Sequence, residues 1–211
     1  MKTMIKMNTR TKDIVFFAAR VMIYASLMIL LNAVYIYDAY HVTSTGKFGE
    51  ISGTEILQEI ILFLSGAIFL FSGFKERELV PMYRLISLFF FMSFIREFNN
   101  QLDYWFYLVI PLLVLFFWTA WNERKKLLPS LHAFIKKPVI AWFVIGFLVT
   151  FVFSRLFGRS ELWQAILENN YNRWVKNAAE EGVELLGYTL LLIGGIEILT
   201  SILKNRNEDT K

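Results

Sequence analysis

Two glutamates, Glu55 and Glu59, stand four residues apart at the start of an apolar run, so they share one face of a helix. Arg96 and Glu97 follow a run of Phe, Leu and Ile, and Asn100 and Asp103 come just after them. A third group, Lys176, Asn177, Glu180, Glu181 and Glu184, opens a long apolar run, with Tyr188 one turn further on. Carboxylates with amide oxygens and no imidazole suit hard divalent cations, Mg²⁺, Mn²⁺ or Ca²⁺. Glu59, Glu181 and Glu184 are the candidate metal ligands among them. Arginine and lysine at the same depth suit an anionic head group, and Tyr188 below Glu184 suits a proton relay. The purely structural alternative is a network of ion pairs that clamps helix ends together, because an isolated buried charge is costly and is normally paired.

Other chemistries lack their residues. The chain has no cysteine, which excludes disulfides, thiolate metal sites and cysteine nucleophiles. His41 and His132 fall outside the apolar runs, so no bis-histidine haem is expected and no Glu-x-x-His di-iron motif exists. No Gly-x-Ser-x-Gly, His-Glu-x-x-His, phosphate loop or dinucleotide fingerprint occurs.

The elements that must position these groups are read from hydropathy. Of 211 residues 56% are hydrophobic, too many for a soluble domain of this size, and they come in blocks long enough to cross a hydrocarbon core. The expected architecture is an all-α membrane bundle forming a single domain. Its six spans are expected at about 14–37, 54–73, 81–103, 104–121, 138–156 and 182–203. The basic N-terminus precedes a block without a small-residue cleavage site, so that block is expected to be a span rather than a signal peptide. Pro81 and Pro138 suit first-turn positions, and Pro111 suits a kink. Residues 128–137, with Pro129, are expected to be a connector. Residues 160–181 alternate apolar and polar faces at helical spacing, with Ser160 as N-cap, and are expected to form an interfacial helix that turns at Gly182 into the last span.

Lysine and arginine set the orientation. Lys2, Lys6, Arg10, Lys12, Lys75, Arg77, Arg84, Arg124, Lys125, Lys126, Lys136, Lys137, Lys204, Arg206 and Lys211 fall on one side, and Lys47, Arg155, Arg159, Arg173 and Lys176 on the other, fifteen against five. The richer side is expected to be cytoplasmic, with both termini there, in a bacterial inner membrane. The three acidic groups then converge at the outer leaflet. Arg96 is expected to contact Glu59, Glu181 or Glu184. Arg155 and Arg159 either grip an anion or flank a helix end. Arg20 and Glu197 are expected to pair near the opposite surface, with a cytoplasmic gate as the alternative, and Gly187, Gly194 and Gly195 to let helices approach closely.

Three segments resemble a family of bacterial polytopic integral membrane proteins of unassigned activity: I-R-E-F-N-N-Q-L-D at 95–103, F-S-R-L-F-G-R-S-E-L-W at 153–163 and V-K-N-A-A-E-E-G-V-E-L-L-G-Y at 175–188. Where this chain has Asn99 the family tends to have Asp. The resemblance implies a membrane location and one shared site for the three segments, and no activity. The expected partners are membrane lipids, with a homo-oligomer or another membrane protein left open; the formal charge of +4 is no signal for nucleic acid. The expected function is binding of a lipid head group or other amphiphile, with or without a divalent cation and with enzymatic modification left open. The alternatives are a small cation or proton transporter, and a structural or assembly factor.

Overall fold

The structure is a computed structural model and describes residues 9–41, 52–98 and 103–209. Among the described residues there are helices and turns and no strand. The helices are α1 (Thr9–Tyr40), α2 (Gly53–Gly73), α3 (Val80–Glu97), α4 (Trp105–Asn122), α5 (Arg124–Ile135), α6 (Ile140–Leu148), α7 (Ser154–Phe157), α8 (Ser160–Leu167) and α9 (Arg173–Asp209). A π-helical turn, Val149–Phe153, joins α6 to α7 without a break, so Ile140–Phe157 is one span. Among the described residues six helices are long and apolar enough to cross a membrane: Arg10–Tyr40, Gly53–Gly73, Arg77–Glu97, Trp105–Asn122, Ile140–Phe157 and Arg173–Lys204.

Successive spans run antiparallel, which gives the bundle two ends. One end gathers Tyr40, Ser52, Glu97 and Arg173; the other gathers Glu76, Asn122 and Ile140. They are called the Ser52 end and the Glu76 end below. The centre is made by α2, α3 and α9, with α6 against α9. Leu62 and Phe69 of α2, Tyr83 and Phe90 of α3, and Tyr188, Leu191 and Ile198 of α9 are all buried there. The Phe69 ring packs on Tyr83, Phe90 and Phe143 at centroid distances of 5.8, 5.7 and 5.8 Å, edge-on to Tyr83 and Phe143 and stacked on Phe90. By contrast α1 and α4 keep most of their apolar side chains exposed, among them Phe16, Ile29, Val114 and Trp118.

Local chemistry sets the boundaries. Ser52 caps α2, its Oγ accepting from the Glu55 N–H at 3.2 Å. Asp38, buried at the end of α1, accepts from the Gly53 N–H at 3.0 Å and from the Thr54 N–H and hydroxyl, each at 2.6 Å. One carboxylate therefore satisfies the first N–H groups of α2 and ties α1 to it. Pro81 sits in the first turn of α3. At Tyr83 and Glu76 the other end is fastened: the tyrosine hydroxyl and Lys137 Nζ both donate to the Glu76 carboxylate, each at 2.7 Å.

Four expectations on boundaries are corrected. The interfacial helix expected over 160–181 is broken: α8 stops at Leu167, Glu168 takes a left-handed backbone (φ 48°), and α9 begins at Arg173. Asn172 explains the new start, because its Oδ1 accepts from the Trp174 N–H at 2.9 Å. No turn occurs at Gly182, through which α9 runs straight. The third helix ends at Glu97 rather than 103; residues 99–102 lie outside the described residues. The expected connector 128–137 is present, and it is largely helical, since α5 runs through Pro129 to Ile135. Pro138 precedes the first residue of α6 rather than sitting in its first turn.

Candidate functional site

The N-terminal half of α9 presents two different faces. Lys176, Glu180, Glu184 and Tyr188 recur every four residues and form a polar face. Ala179, Gly182, Val183 and Leu186 form an apolar one.

The polar face is met mainly by α7. Arg155 Nη1 lies 2.9 Å from Glu180 Oε1 and Arg155 Nη2 lies 2.6 Å from Glu184 Oε1, so one guanidinium grips two carboxylates one turn apart. Lys176 Nζ reaches the other oxygen of Glu180 at 2.7 Å. Gly158 makes room for this, because a Cβ there would run into the Glu180 carboxylate. The Ser154 hydroxyl donates to the Thr150 carbonyl and lies 3.3 Å from Glu184 Oε1. Thr150 sits in the π-helical turn directly against Gly187, where an added Cβ would stand 2.8 Å from the Thr150 N and 3.0 Å from its Cα. The glycine thus sets how closely α9 approaches the Ile140–Phe157 span, and with it the reach of Arg155.

Towards α2 and α3 the partners change. Gln58 Nε2 donates to Glu181 Oε2 at 2.9 Å and to the Glu181 carbonyl at 3.3 Å. Tyr188 and Arg96 both donate to Glu97 Oε1, at 3.0 and 2.9 Å. Glu59 is 7% exposed, and its Oε1 has no hydrogen-bond partner. Glu55 occupies the first turn of α2. Asn177 is half-buried on α9, and Asp103 is exposed in the turn before α4. Asn100 lies outside the described residues.

The sequence-derived set is therefore brought together in part, with different pairings. Arg96 was expected on Glu59, Glu181 or Glu184; its ion pair is with neighbouring Glu97, and Arg155 takes Glu184 instead. The reason is direction: Arg155 leaves α7 facing the polar face of α9, whereas Arg96, in the last turn of α3, meets its neighbour Glu97. The metal set gains no support. Among the described residues no group of three or more His, Asp or Glu could hold an ion. Glu184 is engaged by arginine and serine, and Glu181 by an amide. The Arg20–Glu197 pair is present, with Arg20 Nε 2.9 Å from Glu197 Oε1 and the Tyr24 hydroxyl donating to the same oxygen.

The apolar face of α9 borders an open cleft of about 370 Å³ against α1. Its walls are Met28, Leu31, Asn32 and Tyr35 of α1, Phe157 of α7, and Ala179, Gly182, Val183, Leu185, Leu186 and Thr189 of α9. Polar atoms are few. The Tyr35 hydroxyl donates to the Ala178 carbonyl at 2.7 Å and pins α1 to α9 at the cleft's Ser52 end. The Thr189 hydroxyl turns back to the Leu185 carbonyl at 2.7 Å. Sequence reading missed this cleft, Asp38 and the double grip of Arg155. Only the small residues Ala179 and Gly182, spaced three apart beside Val183, mark the cleft in the sequence.

No family model, curated protein or solved structure matches this chain.

Proposed function

We propose that the chain is a multi-pass membrane protein that binds one amphiphile, with the hydrocarbon part seated in the cleft between α1 and α9. The observation that carries this reading is the cleft itself: about 370 Å³, apolar on both walls, with Asn32 and the Tyr35 hydroxyl as its few polar groups. That size falls in the range of small-molecule sites, which are mostly apolar with a few polar groups for orientation. The ionic network on the neighbouring face of α9 then braces the cleft. Its carboxylates are held mainly by arginine, lysine, glutamine and tyrosine within the bundle, which favours a binding protein over a catalyst working with free carboxylates.

The fifteen-to-five charge asymmetry supports an orientation with the Glu76 end and both termini cytoplasmic, in a bacterial inner membrane. The cleft then faces the outer leaflet, and α8, with exposed Leu162 and Ile166, lies in the outer interface. A C-terminal reporter fusion that reads as external would reverse this orientation. A transport reading draws on the unpartnered Glu59 Oε1. It finds little support further along α9, where residues 190–193 between Tyr188 and Glu197 are all apolar and buried.

Native mass spectrometry of the protein extracted in mild detergent tests the binding reading. One amphiphile is expected to stay bound to the wild type and to be lost from Val183→Trp, whose indole fills the cleft. Leu186→Trp, at a more exposed wall position, serves as a second filling variant. Equal retention by wild type and both variants would overturn the proposal.

A further inference from the structure

Helix α5 connects α4 to the Ile140–Phe157 span at the Glu76 end, and its surface divides into three faces. The first is packed on the bundle. Ser130 and Phe134 are buried, the Ser130 Oγ accepting from the Met82 N–H at 3.3 Å and the Phe134 ring standing 6.1 Å from Tyr83 and 5.7 Å from Phe143. The second is apolar and bare: Leu128, Leu131 and Ile135 are 75%, 38% and 51% exposed. Their spacing of three and four residues makes one stripe, roughly 100° around the helix from Phe134 at 3.6 residues per turn. The third carries exposed Lys125 and His132, with Lys136 just past the helix end.

The charge around the stripe is net positive. Arg124 lies over the Trp121 ring at 4.5 Å and donates to the Trp121 carbonyl at 3.2 Å. Lys126 is 3.7 Å from Glu123, which also faces Arg84 at 3.6 Å. Lys137 is engaged by Glu76. Glu123 is thus the acidic group that offsets Arg84, Arg124, Lys125, Lys126 and Lys136 along this edge. The end of α4 that leads into α5 also carries exposed Trp118 and Trp121. One residue, Glu123, separates the end of α4 from the start of α5. An apolar stripe held at the edge of the spans and flanked by lysines matches a bilayer surface with negative head groups, where each lysine adds about 1 kcal/mol.

We propose that α5 is an anionic-lipid docking strip: Leu128, Leu131 and Ile135 enter the acyl boundary while Lys125, Lys126 and Lys136 pair with lipid phosphates. This placement follows from the ends of the flanking spans and does not depend on which side is cytoplasmic. It is also independent of the α1–α9 cleft. An acidic soluble protein is the competing occupant, and the following test separates the two.

The full-length protein is exchanged into micelles holding equal amounts of phosphatidylglycerol and phosphatidylcholine, and the bound lipids are counted by native mass spectrometry. Wild type is expected to retain phosphatidylglycerol in excess. The triple variant Lys125→Gln, Lys126→Gln, Lys136→Gln alters no buried residue, and the excess should fall about fivefold per lysine removed. Arg159→Gln with Arg173→Gln, at the opposite end, should keep it. A wild type without preference, as an acidic-protein site would give, or a preference that survives the triple variant, overturns the proposal.

Discussion

At the scale of single residues, Arg155 is the side chain on which the polar face of α9 depends. It holds Glu184, which is 5% exposed, and Glu180 together. Its own side chain is half exposed, so the several kcal/mol typical of breaking a buried pair must be reduced for solvent screening. Arg155→Ala is expected to destabilise by about 1–3 kcal/mol. Arg96→Ala removes only the contact with Glu97, and a partly exposed pair of this kind gives about 0–1 kcal/mol. Thermal unfolding in detergent checks the order, and Arg96→Ala as the more damaging change would contradict this account. Sequence alone could not rank the two arginines. Both lie at one depth beside apolar residues, and the choice between them depends on which way α7 and α3 face. The candidate carboxylates were legible because charge inside an apolar run is conspicuous. Their partners were not, because pairing is a long-range property; Gln58 and Ser154 look like ordinary polar residues until α9 is placed beside them.

At the scale of elements, the spans were legible from length and hydropathy because twenty apolar residues leave few other structures open. The break before α9 was not. It turns on Asn172 capping a helix and on the left-handed Glu168, and neither disturbs the apolar periodicity that ran across it. The π-helical turn was equally hidden, since it arises where Thr150 meets Gly187. The glycines of α9 are accordingly unequal. Gly187→Ala drives a methyl into the Thr150 backbone and is expected to cost about 1–3 kcal/mol. Gly194→Ala meets its nearest atom, Trp142 Cβ, at 3.4 Å, ordinary contact. There the better helix propensity of alanine should make the change neutral or stabilising by up to about 1 kcal/mol. Unfolding temperatures of the two variants decide this; equal shifts would mean that the close approach at Thr150 does not set the packing.

At the scale of the whole molecule, burial is uneven in a way that hydropathy cannot show. The central helices α2, α3 and α9 pack a continuous aromatic core, while α1 touches the bundle mainly through Asp38, Tyr35 and the Arg20–Tyr24–Glu197 contacts. These attachments lie at the middle of α1 and towards its Ser52 end, and the cleft lies between them on the α9 side. A helix pinned on either side of an open stretch is a natural wall for a site filled from the lipid phase. The most direct measurement places a photo-crosslinking residue at Leu186, in the cleft, and separately at Val114, on the exposed face of α4, and identifies the lipids captured in intact membranes. The account predicts one enriched species at position 186 and the bulk lipid mixture at position 114. The same bulk mixture at both positions would contradict it.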